Sequence, residues 1–253
     1  MHRIFIFIRI LLKRIGVDAF PRRKGYHYVP DYYGTAAPKM IDIRSLPQFS
    51  PLAQTVIEQG RTLLYYDRLY TIYQALKRVA ALPDASGSSM AEVGVYKGGG
   101  SYFIASTLAA LGFDSIALHC FDTFEGHAVQ DVKSEDPLQR AAAFSDTSIE
   151  SVKAYLSQFP NVRVFKGRIQ DASREIAEKK FSFVHLDMDL YDPTAFALEF
   201  FDQRLLSGCV ILVDDYGFLT CPGVKQAVDE FMSENTRYVG LHLLTGQYIL
   251  TKR

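Results

Sequence analysis

Downstream of residue 89 the chain alternates between short apolar runs and longer stretches with helical spacing. Apolar runs at 90–95, 116–121, 162–165, 183–188 and 209–213 predict strands. Helices are predicted at 101–111, 148–159, 172–180, 193–206 and 222–233. In the first of these, Phe103, Ile104, Leu108 and Leu111 share a face. Thr147 and Glu150 read as a capping box, Asp192 and Pro193 as an N-cap with a first-turn proline, and Pro222 as another helix start. Residues 239–244 and 247–251 flank Gly246 and predict a closing hairpin. Strands alternating with helices predict an α/β domain with a mostly parallel sheet covered on both faces. Its ligand site is expected at the carboxyl ends of the strands.

Upstream the pattern changes. Residues 52–80 carry Leu63, Leu64, Leu69, Ile72, Leu76 and Val79 at spacings of three and four, which predicts helix. Tyr65, Tyr66, Tyr70 and Tyr73 fall in the same stretch, and such a stripe reads as core before it reads as a pocket wall. Residues 83–89 form a turn-rich break. Pro21, Pro30, Pro38, Pro47 and Pro51 predict an irregular, extended segment around 21–50. The first 20 residues place Arg3, Arg9, Lys13 and Arg14 on one side of a helical wheel and Ile4, Ile8, Leu11, Leu12 and Ile15 on the other. The expected organisation is therefore a basic amphipathic segment (1–20), an extended segment with a helical cap (21–82) and a main domain (83–253).

Composition narrows the field. The 253 residues carry 28 basic and 28 acidic side chains, a net charge of zero. A general nucleic-acid binder needs a basic excess, so no nucleic-acid partner is expected. The charge is unevenly placed, with seven basic residues against one acidic residue in the first 24. No uncharged apolar run reaches the roughly 18 residues of a membrane span. Residues 1–20 suit either peripheral contact with an anionic inner membrane face or packing against the domain or a second subunit. The expectations are a homo-oligomer in the cytoplasm, with membrane contact through residues 1–20 as the alternative use of that segment. Cys120, Cys209 and Cys221 lack the spacing of a disulfide framework or a zinc site.

Three features carry chemistry. The segment 92–101, EVGVYKGGGS, lies where the first strand turns into the first helix. Glycines there let backbone approach a ligand at a helix N-terminus. Tyr96 takes the place of the second glycine of a dinucleotide fingerprint, and the remaining pattern, Glu92-x-Gly94 with glycines such as Gly99 following, is typical of S-adenosylmethionine loops. Asp122, at the end of the second strand, is positioned to accept hydrogen bonds from a ribose. Finally, Asp187 and Asp189 end one strand and Asp214 and Asp215 the next. Four carboxylates so close repel one another unless a cation or proton intervenes, and oxygen ligands select a hard ion such as Mg2+. In an extended segment Asp187 and Asp189 would point the same way. His185 reads as a packed residue.

These segments, with CFDTFEG (120–126), FKGRIQD (165–171), FVHLDMDLYDPT (183–194), GCVILVDDYGFLTCPGVKQAVDEF (208–231) and TGQYILTKR (245–253), resemble the macrocin O-methyltransferase (TylF/MycF/NovP) family over roughly residues 60–253. The resemblance implies a Rossmann-like class I methyltransferase fold with a seven-stranded sheet. It also implies an S-adenosylmethionine- and metal-dependent enzyme that methylates a sugar hydroxyl on a glycoside, nucleotide sugar or surface glycan. Carried over by motif, Asp187, Asp214 and Asp215 bind the metal and Asp189 is the general base. Glu92, Gly94, Ser101, Asp122 and Gly167 surround the methyl donor, together with Tyr96 and Gly99 of the same loop. Met188 stands where the antibiotic-sugar enzymes usually carry glycine, and the chain has no tryptophan; both departures bear on the acceptor pocket. The alternative is a metal-dependent catechol- or phenol-type O-methyltransferase. A nicotinamide-dependent dehydrogenase conflicts with Tyr96, and a non-catalytic scaffold leaves the four carboxylates unexplained.

Overall fold

A computed structural model describes residues 42–83 and 85–253. The segment 1–20, and the extended segment as far as residue 41, lie outside the described residues. Ile43–Arg253 form one compact unit. No helix among the described residues is long and apolar enough to cross a membrane.

A 3-10 turn at Ile43–Ser45 leads into α1 (Ser50–Glu58), which carries Pro51 in its first turn, where a missing N–H costs nothing. The irregular segment expected up to residue 50 thus already turns helical at 43. The helical spacing over 52–80 resolves into two helices, α1 and α2 (Tyr66–Ala80). The chain breaks at Gly60, whose φ of +63° an α-helix cannot continue through. Tyr66, Tyr70 and Tyr73 pack around the fully buried Phe49, with ring centroids 6.3, 5.1 and 5.6 Å away. Most of the tyrosine stripe is core, while Tyr65 faces solvent.

The α/β part runs β1 (Ser89–Val93), α3 (Gly99–Ala110), β2 (Ala117–Asp122), α4 (Ile149–Leu156), β3 (Val162–Lys166), α5 (Ile169–Ala172), β4 (Phe181–Leu186), α6 (Tyr191–Asp202), β5 (Leu205–Val213), α7 (Pro222–Glu234), β6 (Tyr238–His242) and β7 (Tyr248–Lys252). The strands form one seven-stranded sheet in the order β3-β2-β1-β4-β5-β7-β6. The first five pair in parallel, and β7 pairs antiparallel to both β5 and β6. Each face has its own core. Phe103, Leu76 and Phe183 belong to one, and Phe121, Val184 and Phe201 to the other. Phe183 and Val184 adjoin in β4 and serve opposite faces, as pleat geometry requires.

Among the boundaries that differ from the sequence pattern, three have a plain local reason. The cap of α4 is Ser148, which accepts from the Ser151 N–H. Thr147 instead donates its hydroxyl to the Tyr96 carbonyl at 2.7 Å. The helix expected at 172–180 begins at Ile169 and ends in a 3-10 turn at Ser173–Ile176, and Ile169, Ala172 and Ile176 are its buried apolar residues. Helix α6 begins at Tyr191, so Asp192 is not its N-cap. The Asp136 carboxylate takes the Tyr191 N–H at 3.1 Å, and Asp192 pairs with Lys133 at 3.1 Å.

The sheet order reverses between β1 and β4, the point where such folds bind ligands. Register there is fixed: Val93 lies opposite Leu186, and Leu186 opposite Val213. The next residues in the three strands, Gly94, Asp187 and Asp214, therefore stand in a row. The Asp187 N–H donates to the Val93 carbonyl at 2.9 Å, and the Asp214 N–H to the Leu186 carbonyl at 2.8 Å. Gly94 has φ +91°, and a Cβ placed on it would sit 1.7 Å from the Asp187 carbonyl oxygen. Gly94→Ala is expected to lower unfolding free energy by at least about 2 kcal/mol, measured by denaturant titration; an unchanged midpoint would show that β1 and β4 can separate there at no cost.

Candidate active site

A cavity of about 290 Å³ opens over the carboxyl ends of β1, β2 and β4. Its walls include Gly94, Tyr96, Asp122, Gly167, Asp187, Asp189 and Asp215. Three non-glycine residues in the left-handed region border it: Tyr96 (φ +50°), Phe144 (+64°) and Asp189 (+62°). Strained backbone of this kind persists where surrounding structure holds it, as at functional sites.

The glycine loop is organised from beneath. Asp122 Oδ2 accepts the N–H groups of Val95 and Tyr96, both at 2.8 Å, and Oδ1 accepts that of Phe124 at 2.7 Å. Burial pushes its carboxyl up against the opposing effect of these three bonds. Asp122 borders the cavity as expected, but the structure gives its oxygens to the backbone of the loop. Glu92 is 2% exposed; Ser101 donates to it, and His185 Nδ1 lies 3.1 Å away. The Ser101 hydroxyl is thereby consumed inside the fold, away from the cavity. Gly99, also expected beside the methyl donor, is engaged within the fold. Its N–H donates to the Arg61 carbonyl at 3.2 Å, and a Cβ there would come within 2.7 Å of that backbone. Tyr96 donates its phenol to Asp146 at 2.9 Å, and the Gly167 N–H donates to the Asp122 carbonyl at 2.9 Å.

The four aspartates converge as the sequence predicts. One oxygen from each of Asp187, Asp214 and Asp215 lies within 4.8 Å of the others, and Asp189, Asp215 and Cys221 make a second such set. The route differs at one point. Strand β4 ends at Leu186, so pleat alternation does not extend to Asp189. Asp189 reaches the cluster through its own left-handed backbone at the turn into α6.

The charges are balanced unequally. Asp214 pairs with Arg68, accepts from Gln247 Nε2 at 2.7 Å and lies 3.6 Å from His185 Nε2. Burial would raise its carboxyl, but His185, Arg68 and Gln247 outweigh burial and hold it below the usual range. Asp187 is pushed up to about 8, by burial first and then by the charge of Asp214. Asp215 is pushed well above its ordinary value by burial and by Asp187, Asp189 and Asp214, and its Oδ2 is buried without a hydrogen-bond partner. An orphaned carboxylate oxygen among carboxylates fits a hard divalent cation. His185 is a packed residue, fully buried between Glu92 and Asp214. Burial opposes its charged form, yet those two carboxylates raise it to about 10.

Several residues at the site had no motif to announce them. Arg68 comes from α2, 146 positions before its partner Asp214. His127 follows the CFDTFEG segment directly and places Nε2 3.5 Å from Asp189 Oδ2. Gln247 and Cys221 lie inside segments that carried the family resemblance, where only their contacts give them a role. Gln170 borders the cavity with a buried, unpartnered Oε1.

The sheet order and a switch-point cavity walled by a glycine loop and an acidic cluster define a class I methyltransferase fold. Residues 48–241 match the macrocin-O-methyltransferase (TylF) family, and the chain belongs to it. It is accordingly an O-methyltransferase. A relative from Streptomyces olivaceus, the 8-demethyl-8-(2,3-dimethoxy-alpha-L-rhamnosyl)-tetracenomycin-C 4'-O-methyltransferase, is 28% identical over 184 residues, covering 68% of this chain and 67% of its own. The solved structure of the O-methyltransferase NovP shares the fold with a TM-score of 0.66 at 23% identity, over 76% of this chain and 82% of that one. The SAH-bound Podospora anserina methyltransferase PaMTH1 superposes with a TM-score of 0.53 at 14% identity, covering 82% and 88%.

Asp122→Asn replaces one accepting oxygen with an amide that faces backbone donors. The variant is expected to lose about 1–3 kcal/mol of stability in chemical denaturation; a loss near zero would mean that the loop keeps its shape without these bonds.

Proposed function

We propose that this chain transfers a methyl group from S-adenosylmethionine to a sugar hydroxyl, with Asp189 as general base and a divalent cation held by Asp187, Asp214 and Asp215. The observation that carries the reading is the orphaned Asp215 Oδ2 within a set of three carboxylates, beside Asp189 and inside a methyltransferase cavity. A sugar acceptor is supported by the rhamnosyl compound in the Streptomyces olivaceus relative's name. A methyl donor of this type is supported by family membership and by the SAH-bound neighbour of the same fold.

The donor supplies an electrophilic sulfonium methyl, so the transfer asks mainly for alignment and an activated oxygen. Gly94, Tyr96 and Gly167 leave space for the donor along the loop side of the cavity, and Asp122 holds that loop in shape. Gln170 offers its unpartnered Oε1 to a donor N–H. Towards the acidic cluster, Leu63, Met188 and Phe218 wall the space left for the acceptor. An Mg2+ ion, when bound, supplies Lewis-acid stabilisation to an oxygen that is losing its proton. Asp189 takes the hydroxyl proton at its carboxylate as the methyl is transferred. His127, 3.5 Å from Asp189 Oδ2, orients that carboxylate.

Asp189→Asn is expected to retain donor and Mg2+ binding in calorimetric titration while turnover falls by about 10²- to 10⁴-fold. Near-normal turnover in this variant rules out the base assignment. Chelation of divalent ions is expected to abolish methyl transfer, and added Mg2+ to restore it. Asp215→Asn should lose the Mg2+-induced rise in melting temperature; a full rise would remove Asp215 from the cation set. Mass spectrometry of products from parallel glycoside, nucleotide-sugar and catechol acceptors tests the substrate class, and methylation confined to catechols would overturn it.

A further inference from the structure

We propose that Asp189, Asp215 and Cys221 form a second cation site, selective for a thiophilic divalent ion such as zinc or cadmium, whose occupation takes Asp189 out of catalysis. The inhibitory part rests on the reading of Asp189 as base. Cys221 Sγ lies 3.3 Å from Asp189 Oδ1, and the three potential ligand atoms all fall within 4.8 Å of one another. Asp215 is 6% exposed, and its Oδ2 has no hydrogen-bond partner. The sulfur is held in place. Cys221 is the N-cap of α7, directly before Pro222, and Gln139 Nε2 donates to it at 3.3 Å. Cys221, Asp189 and Asp215 all border the cavity, so an ion that enters it reaches the set.

Ligand chemistry separates this set from its neighbour. Asp187, Asp214 and Asp215 offer only oxygen, which suits a hard ion, whereas a thiolate favours softer ions such as zinc. The cysteine spacing excluded zinc held among cysteines; here a single cysteine joins two carboxylates from other elements. On binding, the Cys221 S–H bond breaks, a sulfur–metal bond forms and the proton leaves to solvent, with no change of oxidation state. Asp189 then spends on the metal the lone pair it would use to accept the hydroxyl proton. Because both sets share Asp215, the thiophilic ion also competes with the hard ion for that ligand.

The full chain, saturated with Mg2+, is titrated with cadmium while the ultraviolet thiolate-to-cadmium charge-transfer band is followed. The native chain is expected to develop the band to one equivalent, and Cys221→Ser and Cys221→Ala to lack it. Cys120 and Cys209, buried in β2 and β5, are not expected to contribute. Zinc is expected to inhibit methyl transfer by the native chain, with both variants needing at least about tenfold more zinc for equal inhibition. X-ray absorption of the zinc-loaded native chain requires no variant and should show one sulfur at about 2.3 Å. An oxygen- and nitrogen-only zinc shell, or a cadmium band that survives in both variants, overturns the proposal. A native band and sulfur shell without methyl transfer to any sugar acceptor would leave the site standing and sink the functional reading instead.

Discussion

Repulsion among carboxylates at the ends of β4 and β5 is the constraint around which the site is organised. Two unit charges within 4.8 Å cost about 3 kcal/mol or more at an effective dielectric of about 20, and this cluster has several such pairs. The surrounding fold relieves one member fully. Asp214 receives a guanidinium from α2, an amide from the turn before β7 and an imidazole from β4. Asp187 and Asp215 receive no comparable help, and their proton affinity rises accordingly. The protein thus keeps one carboxylate ionised and leaves two whose charge it stabilises far less. Such an arrangement accords with the cation proposed for this cluster.

The same carboxylates are tied to the opposite half of the cavity through the middle of the sheet. Glu92 in β1 and His185 in β4 are direct cross-strand partners, and His185 reaches on to Asp214 beyond β5. Glu92 also holds Ser101 at the start of α3. A continuous line of buried polar contacts therefore joins the helix behind the glycine loop to the acidic cluster. The last link is electrostatic, since His185 Nε2 stands 3.6 Å from Asp214 and makes no hydrogen bond. The line runs between the part of the cavity read as the donor side and the part read as the cation side.

Much of this was legible in the sequence because strand-end residues need only local pattern and topology. The apolar runs ending in Asp187 and Asp214 announced two strands, and parallel register then had to bring their ends together. The left-handed turn that carries Asp189 inward was not legible, because no glycine or asparagine marks it. The contacts that Glu92, Ser101 and Gly99 make within the fold were not legible for one shared reason. A motif shows that a loop is special, but not which of its groups face the ligand and which hold the loop from behind. Arg68 and Gln247 escaped notice because their partner is distant in sequence, and only packing of α2 and β7 against β5 supplies it. The Asp136 cap on α6 is hidden in the same way, since the local sequence offered Asp192 as a ready substitute.

Gln247 carries a consequence for how the molecule matures. It lies in the turn before β7, 33 residues after the Asp214 it satisfies. A ribosome delivers the chain from its N-terminus, so β1, β4 and β5 are available to pair before β7 exists. Until β7 docks against β5, the nascent domain holds its cluster of acids with one buried acceptor unmet. Attachment of that strand from the far side of the sheet completes the chemistry as well as the fold, so a newly made chain can be largely compact before it is competent.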